Sequence, residues 1–404
     1  MAKKSAIPGN RIILVDALRG FALFGIILAH ISHSYAAGPL PTDVHTLGGK
    51  PANEMGSMIG IYKISEFVNA AFVNGKFYSL FTFIFGFSFF LQTKSFTRDS
   101  RNINLQFFRR ALCLLLIGFI HQLFWMGDIL MVYGLLMLPL VFLRQLSDRR
   151  LLIIGLLFVF NIPGMLYEVG QLFSNAIVTN SDDKEAWAFY HIISVGSLGE
   201  IFAYNLQHLP GKIHFQALSG RLFVTLGFFL LGMLAARRCW LNRVLEVKNK
   251  IYFIFLPAYA LMIIFQLITM KLNYSDYTSS TFEIVLGSAI NSLQCLCSII
   301  LYISFVAILF FTQHIHKLFN ALANLGRTAL TSYLMQTAFG LFIFYRIGLG
   351  MFGHTTPTYN VLIGLAFFGL QMALANIWLR YFNYGIAEWL LRGVTFWEFQ
   401  KLRK

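Results

Sequence analysis

Acid is what this chain has least of. Asp and Glu together number 17 in 404 residues, against 32 Lys and Arg, and charged residues of all kinds make up 12%. That share is about half of what an ordinary soluble domain carries, which excludes a water-facing surface of normal composition. Cysteine is scarce too. Cys113, Cys239, Cys295 and Cys297 fall in or beside apolar runs, which excludes a secreted disulfide framework. Cys295-x-Cys297 sets its sulfurs on different helix faces, and no His-x-x-x-His pair exists, so no metal is expected. No soluble domain stands out, and no internal repeat of the transporter kind is visible.

What the chain has is apolar bulk: 57% hydrophobic residues, 16% aromatic, and 43 Phe. Windows of about 20 apolar residues predict an all-α, polytopic membrane bundle. Ten spans are expected, near 12–34, 72–93, 108–126, 128–144, 151–171, 218–237, 251–271, 284–312, 327–346 and 358–380. The net charge of +15 sits in short connections between them, so it reads as a topology signal rather than a nucleic-acid surface. Alternate connections are strongly basic, among them Arg109–Arg110, Arg149–Arg150 and Arg237–Arg238. The positive-inside rule then puts both termini in the cytoplasm. The N-terminus resembles a signal-peptide n-region, but the apolar stretch behind it is long and carries Asp16 and Arg19, so a retained first span is expected. The chain reads as one transmembrane domain, 1–404. Long outer loops are expected at 36–71 and 172–217, and an amphipathic cytoplasmic tail on the inner leaflet at 381–404.

Polar residues inside spans are the functional candidates. Asp16 and Arg19 are three apart in "VDALRGFALFGIILAHISH" and share a helix face. They either pair as a structural anchor or line a polar passage. His30 follows Arg19 by eleven residues, which stacks it on the same face about 16 Å further out. Lys76 opens the second span as either a snorkelling anchor or an ammonium beside a cavity. In "LLIGFIHQLFWMGDILMVYGL", His121 ends one span and Asp128 begins the next across a very short turn. Asp128 either only caps its helix or also orients a histidine acting as base. Arg327 opens the ninth span at the cytoplasmic side, where it is either a positive-inside anchor or a phosphate partner.

The pieces "VDALRGFALFGIILAHI", "GKFYSLFTFIFGF", "LLIGFIHQLFWMGDILMVYGL", "LGFFLLGMLAARRCWL", "LGRTALTSYLMQTAFGLFIFY" and "IWLRYFNYGIAEWLLRGVTF" together resemble the YeiB family of bacterial inner-membrane proteins. They cover nearly the whole chain. That family looks like a branch of the transmembrane acyltransferase superfamily, which includes heparan-α-glucosaminide N-acetyltransferase. The shared first-span pattern is Asp16, Arg19 and Gly20; where relatives commonly carry Asn, this chain has His30.

The resemblance implies a multi-pass enzyme of the bacterial inner membrane. It would move an acyl group, most simply acetyl, from cytosolic acyl-CoA to an envelope glycan or lipid at the outer face. His121, Asp128 and His30 would be the catalytic set. Arg19, Asp16, Arg327 and Lys76 would bind the donor. The partners are then membrane lipids and the acceptor, not nucleic acid, and a homodimer is allowed. The same polar stripe also fits a transporter or flippase of an envelope intermediate, with the histidines as a proton relay.

Overall fold

Inside a bilayer every backbone N–H and C=O must be satisfied without water, which leaves helices or a closed barrel. The computed structural model describes residues 13–41, 67–96, 102–171, 183–246, 250–271, 281–312 and 315–404. Among these, helices carry the fold, and the only extended pairing is one bridge between Phe382 and Arg403.

The helices, in chain order, are α1 Ile13–Ser32, α2 Lys76–Phe96, α3 Ile103–Phe124, α4 Leu130–Leu143, α5 Asp148–Val159 and α6 Ile162–Gln171. Three short ones follow: α7 Asp183–Val195, α8 Leu198–Gln207 and α9 Leu209–Leu218. Then come α10 Arg221–Arg237, α11 Trp240–Glu246, α12 Tyr252–Lys271 and α13 Thr281–Phe311. The chain closes with α14 His316–Arg327, α15 Ala329–Phe344, α16 Pro357–Tyr381 and α17 Ile386–Phe396.

Among the described residues, six helices are long and apolar enough to cross a membrane: α1, α2 with its preceding turn, α3, α12, α13 and α16. A seventh crossing arises if α9 and α10, bent by 64°, count as one. The ten apolar runs are therefore not ten full-length helices. α4 and α15 are apolar but have 14 and 16 residues, about 21 and 24 Å against a hydrocarbon core of about 30 Å. The run at 151–171 is broken between α5 and α6, where Asn161 takes φ +53°. Hydropathy counts residues and does not see such a break.

The segment 172–217, expected as a loop, forms helices α7 to α9 from residue 183 onward. Most of the other outer segment, residues 42–66, lies outside the described residues. That includes most of "MIGIYKISEFVNAAF", a stretch whose sequence reads as an amphipathic helix. From Asn69 to Val73 the chain makes a short π-helix ahead of α2.

Small residues let helices approach closely where no water drives them together. A Cβ on Gly20 would lie 2.1 Å from the Leu322 carbonyl oxygen, and one on Gly326 would lie 1.8 Å from that of Asp16, which seals α1 to α14. Gly86 against Phe229 and Gly232 against Phe83 do the same for α2 and α10. On the outside, α12 shows Phe253 at 79% exposure together with Leu256 and Leu267. A continuous apolar exterior of this kind belongs against lipid, and the protein is a multi-pass membrane protein.

Candidate functional site

α3 ends at Phe124, and four residues later Asp128 lies just ahead of α4. Its carboxylate accepts the Leu130 amide at 3.1 Å and the Met131 amide at 2.9 Å, satisfying N–H groups that open α4. The same carboxylate faces His121: Nδ1 lies 2.7 Å from Oδ1, with both side chains buried. A carboxylate already accepting two amides takes the Nδ1 hydrogen, which leaves the lone pair on Nε2. Nε2 is buried and has no hydrogen-bond partner among the described residues.

The turn is shaped by Trp125. Its Nε1 donates to the Tyr35 carbonyl at 2.8 Å, tying α3 to the end of α1. A Cβ on Gly127 would lie 2.4 Å from the Trp125 ring, so the turn has room only for glycine there. The His30 ring centroid is 4.7 Å from Trp125 and that of His121 is 5.9 Å away, so the indole sits beside both histidines. Tyr333 of α15 reaches His121 from another side at 5.3 Å. Lys212 of α9 donates to the Asp128 carbonyl at 2.7 Å and to Gln122, fastening α9 to the turn.

Tyr333 also belongs to a cavity of about 250 Å³. Its walls are largely apolar, with Phe81, Phe85, Leu114 and Met137 among them, and Tyr133 beside Tyr333. Four arginines line it: Arg19, Arg110, Arg327 and Arg392. Among the described lining residues the single acid is Glu388, and it is engaged elsewhere. It accepts Leu330 and Thr331 amides at 2.6 and 3.2 Å and the Thr331 hydroxyl at 2.6 Å, capping α15 from α17. Burial pushes the Glu388 carboxyl above the usual carboxylate range. The cavity therefore combines a concentrated positive region, an apolar bore, and a phenol ring in contact with a paired histidine.

The structure brings His121, Asp128 and His30 into one cluster, and Arg19 and Arg327 into one cavity. Asp16 accepts from Arg19 at 2.8 Å, as their spacing predicts, and Arg19 also donates to Ser88. Lys76 is committed elsewhere: its ammonium donates to Asn291 at 3.1 Å and Gln294 at 3.0 Å on α13. Of the neighbouring pair, Arg110 lines the cavity, while Arg109 stacks over Trp397 at 5.0 Å.

Sequence reasoning assigned no role to Trp125, Tyr35, Lys212, Glu388 or Arg392. The only signal for Trp125 was the Gly127 beside it. Arg392 lay in a tail read as resting on the leaflet, whereas α17 is a wall of the cavity.

Residues 235–398 match a family described as a protein of unknown function (DUF418). Three relatives match over nearly their full length. YxaH of Bacillus subtilis (strain 168), an uncharacterized protein, is 28% identical over 98% of this chain and 97% of its own. YeiB of Escherichia coli (strain K12), also uncharacterized, is 28% identical over 96% of each chain. An uncharacterized 39.9 kDa protein in the amylase 3'region of Bacillus acidopullulyticus is 25% identical over 96% of this chain and 94% of that one.

Proposed function

The chain belongs to the YeiB family, and on that premise we propose that it is a membrane acyltransferase using acyl-CoA as donor. The observation that carries this reading is one cavity lined by four arginines, by apolar side chains and by Tyr333, whose ring centroid lies 5.3 Å from that of the Asp128-held His121. Acyl-coenzyme A offers the matching parts: clustered phosphates, a thin arm of methylenes, a gem-dimethyl carbon and two amides, and a thioester at the tip. Guanidinium forks suit phosphate, and an apolar bore suits the arm. Both termini lie in the cytoplasm in this reading, so the arginine end faces the cytosolic donor. An envelope glycan or lipid supplies the acceptor at the outer face of the bacterial inner membrane.

The chemistry follows from the protonation of His121. Nε2 takes the proton from an acceptor hydroxyl or amine as that atom bonds to the thioester carbonyl carbon. Asp128 holds the ring and supports the imidazolium that forms. The tetrahedral oxyanion collapses, the C–S bond breaks, and the thiolate takes the proton back from His121 to leave as free CoA. His30, across Trp125, borders the acceptor side. Arg327 and Arg19 bind phosphate, with Arg110 and Arg392 beside them, and Asp16 positions Arg19.

Release of free CoA from acetyl-CoA by the purified protein in detergent, with water taking the acetyl group in place of the acceptor, tests this. Steady release in wild type, lost in His121→Ala and weakened in Arg327→Gln, is expected. Absence of both binding and release for acetyl-CoA and longer acyl-CoAs, in protein with a cooperative unfolding transition, would sink the reading and leave transport of an envelope intermediate.

A further inference from the structure

A second cavity, of about 220 Å³, lies across α2 and α10 from the first. Tyr78 of α2 lines it, and one turn further along, Thr82 bonds the hydroxyl of Tyr133, which lines the first cavity, at 2.7 Å. The Tyr78 hydroxyl bonds Thr225 of α10, so a belt of hydroxyls separates the two spaces.

The lining of this second cavity differs in kind. Ser79, Ser219, Ser288 and Ser292 supply hydroxyls, Asn161 and Asn291 supply amides, and Arg221 supplies charge. No Asp or Glu is among the described lining residues. Arg221 opens α10 behind Gly220, which takes φ +73°, a left-handed conformation suited to glycine. Gly220 has no side chain to cap that helix start, and Ser219, Arg221 and Val224 line the cavity, so the positive dipole end of α10 stands beside it.

Lys76 stands behind the wall. It is 3% exposed, and among the described residues its ammonium has amide oxygens as hydrogen-bond partners, those of Asn291 and Gln294; Gln294 in turn donates to Gln266 at 3.2 Å. A buried ammonium is costly when only dipoles face it. Asn291, which holds Lys76, is itself part of the cavity wall. An anion seated there would face Arg221 and the α10 amides directly and would balance the buried charge one residue away.

We propose that this cavity is a binding site for a phosphate ester carrying free hydroxyls, with Arg221 and the start of α10 on the phosphate and the Ser and Asn side chains on the hydroxyls. The binding does not depend on the acyl-transfer reading.

Calorimetric titration of the detergent-purified protein with sn-glycerol 1-phosphate tests the site, with glycerol as neutral control. Saturable binding of the phosphate ester and none of glycerol is expected. Arg221→Gln weakens it at least about tenfold, a loss of about 1.4 kcal/mol, while Arg327→Gln in the first cavity leaves it unchanged. Lys76→Met weakens it too, but that change removes a buried hydrogen-bonded group. Arg221→Gln, at the exposed rim, therefore carries the test.

Inorganic phosphate and dihexanoyl phosphatidylglycerol separate the sources. Tighter binding of the lipid marks a headgroup site, and tighter binding of sn-glycerol 1-phosphate marks a soluble ester. Three results overturn the proposal: inorganic phosphate bound as tightly as either ester, no saturable binding of any of the three anions by folded protein, or binding that Arg221→Gln leaves intact. CoA release is not read, so failure here leaves the acyl-transfer reading standing, and failure of that reading leaves this site standing.

Discussion

The Nδ1 atom of His121 lies 2.7 Å from Oδ1 of Asp128, and the same carboxylate holds the first amides of the next helix. One acid therefore does two jobs, which substitutions separate. Asp128→Asn keeps an oxygen for the amides but loses the charge behind the imidazole. CoA release is expected to fall by about 10²–10⁴-fold, the usual worth of a general base. Asp128→Ala loses the cap as well and lowers folding stability by a further ~1 kcal/mol. Combined with His121→Ala, either change should add little to the loss of activity, because the two groups act as a unit. Turnover and thermal unfolding of the two Asp128 variants, of His121→Ala and of the two double variants check this.

Arg392 reaches the first cavity from α17, far along the chain from Arg19. Arg392→Gln is expected to raise KM for acetyl-CoA about tenfold with kcat nearly unchanged, the signature of lost uniform binding. Acetyl-pantetheine, which lacks the phosphates, should be indifferent to the change. A kcat effect on acetyl-pantetheine would place Arg392 nearer the reacting atoms.

The seal between α1 and α14 has no space for a methyl group at Gly326, where a Cβ would lie 1.8 Å from the Asp16 carbonyl oxygen. Gly326→Ala should cost about 1–3 kcal/mol through forced separation of the helices. Gly170→Ala, with nothing within 4 Å of its Cβ position, should be neutral or slightly stabilising. Unfolding in detergent distinguishes the two.

Asp148, at the basic end of the bundle, accepts from Arg237 at 2.9 Å and also bonds Arg238. The Arg237 hydrogen bond is the main cause that holds the Asp148 carboxyl below its ordinary value of 3.8. A carboxyl depressed on folding adds stability at pH values above that ordinary value and loses it as the pH falls through the folded one. The Asp148 side chain is 26% exposed, so solvent and salt screen the pair and it contributes under about 1 kcal/mol. Asp148→Asn should lower the unfolding midpoint at neutral pH, less so in high salt. The difference should close as the pH drops below 3.8.

Some of the site was readable from local spacing. A short turn between two apolar runs forces His121 and Asp128 to the same end of the bundle, and an acid at a helix start has amides to accept. Three residues along one helix bring Arg19 to Asp16. The arginine cluster was not readable in full. Arg110 and Arg392 are separated by most of the chain, and nothing in the tail's amphipathic pattern says which helix its apolar face will meet. Lys76 shows the same limit from the other side. Its position near the start of α2 was evident, but α13 decided that it faces Asn291 and Gln294 rather than the histidines.

Composition and periodicity by themselves determined that the chain is helical and belongs in a membrane, because so few charges and so much apolar surface have no other stable solvent. They also determined the local pairs, whose geometry is set within one or two helical turns. Where helices break and which side chains share a cavity was decided by the tertiary structure. Those outcomes depend on close backbone contacts at residues such as Gly20, Gly326 and Gly86, and on which of several equally apolar faces packs inward. Lipid accepts any apolar face, so hydropathy cannot choose among them; shape and hydrogen bonding can.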